Sequence, residues 1–296
     1  MHVTAHCFLK KAKIDKLPIR FNFRDMEVKI DKSSIPEDDG LILETKQKVD
    51  VKELMIDPSE KDEKGEFIGK RLKKYKAELH ELATLIEGIF SVNYMVSSMP
   101  RFETHRVTVN VFPENEEERK MIGEGKVTGG FGDITTPEKH PEFSWKDNLF
   151  GNIEKIAQHL PALSFITQAI RSQYRKDEEI AFFLYFRIIE GYFGDGTPQI
   201  EKALLQNKEE LKKYLPPKED FKNALQNILK ILNLPSRAET NYEGIISDLV
   251  LLRHKLVHFD EANAERYFSP KLKFELSSIN KHLRLATTLI IRDKIG

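Results

Sequence analysis

The sequence predicts an α+β protein, with an N-terminal antiparallel β-rich domain carrying one or two helices and an all-helical bundle after it. Three observations predict this. Apolar and polar residues alternate in short runs through the first part of the chain, apolar residues recur at helical spacing from about residue 149 to the end, and a Gly-, Pro- and charge-rich stretch separates the two regimes. At 296 residues and about 100–200 residues per domain, two domains are expected, at 1–147 and 148–296.

The N-terminal strands are read from Arg20-Phe21-Asn22-Phe23 and Glu27-Val28-Lys29-Ile30, which alternate, and from Leu41-Ile42-Leu43, which follows an Asp-Asp-Gly turn. Residues 58–70 are charged and Gly-containing and read as a loop. Leu79, Leu82, Leu85, Ile86 and Phe90 then mark one amphipathic helix packed on the sheet. The run from Thr104 to Phe112 alternates again and predicts another strand. Residues 113–147 lack periodicity and read as a mobile hairpin or an interdomain linker. Gly123, Gly125 and Lys126 resemble part of a phosphate-binding loop there, but Val127 stands where Ser or Thr is needed and no Gly precedes the lysine by five residues.

Helices are predicted at 149–159, 161–175, 177–193, 198–214, 218–232, 242–258 and 271–293, divided by Gly194-Asp195-Gly196, Pro216-Pro217 and Pro235-Ser236. In the last of them Leu272, Leu276, Ile279, Leu283, Ala286 and Ile290 form one bundle-facing stripe. No internal repeat is present.

Composition narrows the function classes. Hydrophobic residues at 40% and aromatics at 9% suffice for a core in each half, which argues against disorder of the whole chain. Lys plus Arg (47) equals Asp plus Glu (47), so any pull on nucleic acid must be local. The densest basic run, Lys70 to Lys76, sits between mixed-charge and Glu-rich sequence and reads as a solvated helix start. A single cysteine, Cys7, fits a reducing compartment, and the cytoplasm is the expected location. No signal peptide and no membrane span are expected, since no stretch approaches about 18 uncharged apolar residues.

Two segments carry the chemical signal. On the helix ending near residue 258, Ile245, Leu249, Leu252 and Leu256 mark the core stripe while Arg253, His254, Lys255 and His258 crowd the last turns. Basic residues there complement the negative end of the helix dipole, which explains the charge but not the choice of two histidines. The second segment, Ile180 to Phe193 (IAFFLYFRIIEGYF), is so apolar that burial is expected, yet it holds Arg187 and Glu190 at i, i+3 spacing. Buried charges need partners, so a local Arg187–Glu190 pair is predicted, with Glu190 also reaching Arg253 or a motif histidine. A purely scaffolding ion pair is the plainer explanation of the same spacing.

The run Arg253-His254-Lys255-Leu256-Val257-His258 resembles the hallmark of HEPN-superfamily ribonucleases, Arg, a polar residue, three residues, then His. Its place near the end of the penultimate helix of a C-terminal bundle is where that family carries it, and an acidic residue on an earlier helix, here Glu190, is frequent there too. FLYFRIIEGYF together with LLRHKLVHF is similar to MauJ-like proteins of methylamine utilisation and to HEPN domains of the ApeA type. Asp260 stands where a toxin subset has a tyrosine, so regulation by modifying that tyrosine is not expected.

The resemblance implies a metal-independent endoribonuclease with no cofactor, acting on RNA in phage defence, a toxin-like response or RNA processing. Catalytic roles would fall to Arg253 as phosphate stabiliser, His258 as general acid or base, and His254 as positioning group or second proton carrier, supported by Glu190, Arg187, Lys255 and Asp260. At about 100° per residue, Arg253 and His258 point some 140° apart on an ideal helix. Either the helix unwinds near His258 or two chains share one cleft, and the resemblance implies a two-fold homodimer.

Two rivals compete. His254 and His258 at i, i+4 could chelate zinc with Asp260 or His282, although Lys255 would repel a cation. A non-catalytic module with the same fold could instead bind RNA, a nucleotide or a partner protein. In the N-terminal domain, His2, His6, His80, His105 and His140 show no metal spacing, and the domain is expected to sense a trigger or bind a regulatory partner.

Overall fold

A computed structural model describes residues 1–10, 13–33, 40–50, 72–94, 102, 107–122, 127–129, 142–143, 150–194, 199–238, 241–257 and 269–296. Two compact units emerge, one from Met1–Phe90 with Met99–Gln158 and the other from Ser91–Ser98 with His159–Gly296.

The first unit is built on a sheet of β1 (His2–Lys10), β3 (Ile19–Phe23), β4 (Met26–Lys32), β5 (Gly40–Lys48), β6 (Val107–Phe112) and β7 (Val127–Gly129), in the order β3-β4-β5-β1-β6-β7. Each neighbouring pair is antiparallel. The alternation that predicted strands is what sorts the faces: Met26, Val28 and Ile30 are buried while Glu27 is exposed. Strand β1 lies in the middle, where Ala5 faces Thr45 of β5 and Val109 of β6. Two-residue segments β2 (Lys13–Ile14) and β8 (Glu142–Phe143) pair in parallel as a separate two-stranded sheet.

Helix α1 (Leu72–Tyr94) buries Leu79, Leu82, Leu85, Ile86 and Phe90. It is tied to the β3–β4 turn by Arg24, whose guanidinium donates to the Glu81 carboxylate at 3.1 Å. Phe150 stacks on Phe21 of β3, with ring centroids 4.5 Å apart, and also lies beside Phe90. The stretch after β6, which lacks periodicity, is not merely a linker. It holds α2 (Glu116–Ile122), whose start is capped by Asn115 Oδ1 accepting from the Glu118 amide at 2.8 Å, and then β7, which extends the sheet. A three-residue strand and a seven-residue helix are too short to print a period on the sequence. Gly123, Gly125 and Lys126, like the predicted loop at 58–70, lie outside the described residues. A short helix, α3 (Ile153–Ala157), closes the unit.

The second unit is helical: α4 (Leu160–Tyr174), α5 (Glu178–Phe193), α6 (Ile200–Gln206), α7 (Lys208–Tyr214), α8 (Glu219–Ile231), α9 (Tyr242–Val257) and α10 (Pro270–Ile295). Its spine is α10, which packs against α4, α5, α7 and α8. Ser269 caps that helix by accepting from the Leu272 amide at 3.1 Å, and Pro270 occupies the first turn, where its missing N–H costs nothing. All six residues of the predicted stripe, Leu272 through Ile290, are fully buried.

The single helix expected over 198–214 is instead α6 and α7, broken at Asn207. There the side-chain amide donates to the carbonyls of Phe193 and Ala203, an alternative to continuing the helical ladder. No helix among the described residues is long and apolar enough to cross a membrane.

One local arrangement fixes the rotation of α9. Asp248, only 1% exposed, accepts from the Ser236 hydroxyl and from the backbone amides of Arg237 and Ala238 at 2.6 to 3.0 Å. That loop crosses the first turn of α9 so closely that a Cβ on Gly244 would overlap the Arg237 carbonyl oxygen. Gly244→Ala must push the loop away and Asp248→Ala strands its donors, so each is expected to lower stability by roughly 1–3 kcal/mol. Urea denaturation measures this; an unchanged midpoint for both would show that the loop does not anchor α9.

Candidate functional site

In the second unit, α5 and the end of α9 bring Arg187, Glu190 and Arg253 together. Helix α5 is apolar on nearly every turn, burying Phe182, Tyr185, Phe186, Ile188, Ile189 and Phe193. Glu190 is buried among them at 9% exposure. A carboxylate in such a wall stays charged only beside cations or donors. Two arginines supply them: Arg187 Nη1 donates to Glu190 Oε2 at 2.7 Å, and Arg253 Nη2 stands 3.6 Å from Glu190 Oε1.

The arginines differ in setting. Arg187 is exposed, with 42% of its side chain open to solvent, whereas Arg253 keeps only 17%. The burial expected of Arg187 therefore does not occur: i, i+3 geometry lets Glu190 face inward while Arg187, a turn earlier, reaches it from the solvent side. Arg253 is held by charge more than by hydrogen bonds, because 3.6 Å is beyond a good N–H···O contact. Its Nε is also buried with no acceptor among the described residues. The guanidinium is thus turned toward Glu190 by charge, with its Nε unmatched among the described residues.

His254 and Lys255 follow in the last turn of α9, His254 exposed and Lys255 half-exposed. Of the core stripe on this helix, Ile245, Leu249 and Leu252 are buried, while Leu256 is only partly covered. His258 and Asp260 lie outside the described residues, and α9 is regular through Val257. His282, the distant ligand considered for a metal, is engaged elsewhere: its Nε2 lies 3.0 Å from Asp220 and its ring meets Phe221 edge-on. Among the described residues, no group of three or more His, Cys, Asp or Glu side chains could hold a metal ion.

One feature escaped the sequence. His254 lines an open cleft of about 690 Å³ between α6 and α9, together with Val250 and with Gln199, Glu201, Lys202 and Gln206. On α9, Val250 and His254 continue a stripe at spacings of four, three and four that begins with Glu243 and Ser247. Glu243 accepts from Lys208 at 2.5 Å, a bond that holds its carboxyl below the usual carboxylate range, and the Ser247 hydroxyl donates to Glu201 at 2.6 Å. Those polar ties join the first half of the stripe to α6 and α7. Around the second half the cleft is open.

No protein-family model, curated protein or solved structure matches this chain.

The asymmetry around Glu190 predicts unequal effects on stability. Glu190→Ala leaves Arg253 without its only ion-pair partner among the described residues and should cost about 1–3 kcal/mol. Arg187→Ala, at a solvated position, should cost less than about 1 kcal/mol. Chemical denaturation of the two variants checks the order; equal losses would mean that the Arg187 contact alone carries the effect of Glu190 and that Arg253 adds nothing.

Proposed function

We propose that this chain is a metal-independent endoribonuclease of HEPN type. The observation that supports the reading best is Arg253, the first residue of the Arg-polar-x3-His run, partly buried against Glu190 with its Nε unmatched among the described residues. In the proposed reaction the ribose 2′-oxygen attacks the adjacent phosphorus while a base takes its proton. The O2′–P bond forms, the P–O5′ bond breaks, and an acid protonates the leaving 5′-oxygen, giving a 2′,3′-cyclic phosphate and a 5′-hydroxyl. Arg253 neutralises the charge that builds on the phosphorane oxygens. His258 and His254 carry protons, since imidazole titrates near neutrality. Glu190, with Arg187 behind it, holds Arg253, and Lys255 and Asp260 tune the charge nearby.

Arg253 lies in regular helix through Val257, so the twist that separates it from His258 is not relieved before that point. We propose a two-fold homodimer that brings two motifs to one groove. A role in phage defence or a toxin-like stress response in the cytoplasm, with the first unit as sensor or docking site for a regulator, completes the proposal. The open cleft beside His254 gives a second reading some support, a non-catalytic module that binds RNA, a nucleotide or a protein through the same residues.

Incubating the full chain with total RNA and a chelator, then mapping the cut ends, decides between them. Cyclic-phosphate ends are expected, with cleavage reduced at least about 100-fold in Arg253→Ala and in His258→Ala while both stay folded. Should no RNA be cut, and should expression burden cells equally with and without His258, the binding module is the better account.

A further inference from the structure

We infer that the cleft between α6 and α9 seats the single-stranded RNA that flanks the scissile phosphate; this rests on the ribonuclease reading and gives it a substrate path. The lining carries the inference. Lys202 and Gln206 lie four apart on one face of α6, Gln199 stands just before the helix, and all three are exposed. Opposite them stand Val250 and His254 of α9, with Leu205 adding aliphatic surface.

This mixture matches an unpaired nucleotide better than it matches an apolar ligand. Primary amides present a donor and an acceptor side by side, the pattern that hydrogen-bonds exposed base edges in single-stranded RNA. Aliphatic side chains cover a base face, and no aromatic residue lines the cleft among the described residues, so sequence-tolerant stacking is not its principal means of binding. Lys202 supplies a cation for a backbone phosphate. Pockets that hold small molecules span about 300–1,000 Å³, and about 690 Å³ accommodates a nucleotide with its phosphate.

The cleft also has an electrical direction. Glu201 lines the cleft from α6 and accepts from Ser247 of α9, which places a carboxylate on that side. His254 stands further along α9, seven residues or about 10 Å beyond Ser247 on the helix axis. A phosphate is disfavoured beside the Glu201 carboxylate. His254 itself lies one residue, and about 100° around the helix, from Arg253, the proposed phosphate stabiliser.

The test uses the full chain and a fluorescein-labelled 2′-O-methyl RNA dodecamer of mixed sequence, which 2′-hydroxyl attack cannot cut, with binding read by fluorescence anisotropy. Lys202→Glu should weaken binding about tenfold at low salt. Gln206→Ala should weaken it by a smaller factor, and Lys230→Glu, the same charge reversal on α8, should leave it unchanged. Melting temperatures within a degree or so of the unaltered protein would exclude misfolding as the cause. Equal affinity for all four proteins overturns the inference, and if RNA is still cut the ribonuclease reading survives without it. Loss of affinity at Lys202 with no cleavage of ordinary RNA supports the cleft and removes the enzyme. Absence of binding by any of them overturns the inference in favour of a protein or small-molecule occupant.

Discussion

The buried carboxylate of Glu190 is the constraint on which the candidate site depends. Its neighbours on the inward face of that helix, Phe186, Ile189 and Phe193, are aromatic or aliphatic, and an unpaired charge among them would cost several kcal/mol by rough estimate. Arg187 answers that cost from the same helix and Arg253 answers it from α9. The second contact does more than neutralise, because it ties α9 to α5 near the C-terminal end of α9. With Arg253 turned toward α5, helical geometry puts its neighbour His254 about 100° away, on the side where the cleft to α6 lies.

A second buried acid sets the other end of the same helix. Asp248 gathers the loop at 236–238 onto α9, and Gly244 gives that loop room to pass. Between the two anchors α9 has little freedom to rotate, so its Glu243–Ser247–Val250–His254 stripe keeps facing α6 and α7. The polar ties close half of that stripe and leave half open. Two carboxylates buried for packing reasons thus determine where the basic residues emerge, and that placement is the physical link between fold and proposed chemistry.

Much of this was legible in the residues themselves. The α10 stripe, the α1 stripe and the alternation in β4 each follow from burial of one face, which leaves a period that the sequence retains. The link from Glu190 to Arg253 could be anticipated because a charge inside an apolar run demands a partner. The same logic applied to Asp248, an acid within IISDLVLL, would have located the loop anchor. Other features left no such mark. Strand β7 is three residues long, and the break at Asn207 depends on a side chain reaching the Phe193 carbonyl, a contact distant in sequence. The exposure of Arg187 depends on which way the helix is turned, and the α6 wall of the cleft consists of ordinary surface residues that gain meaning only opposite His254.

Arg253 joins these levels, since its position follows from Glu190 and the proposed role in RNA cleavage rests on it. The most direct measurement is a double-mutant cycle on stability with Glu190→Ala, Arg253→Ala and the double variant. The structure predicts a coupling of about 1 kcal/mol or more between the two residues, as contacting charges in a partly buried setting show. Losses that add to within about 0.5 kcal/mol would mean that Glu190 does not hold Arg253, and the account of the site would lose its anchor.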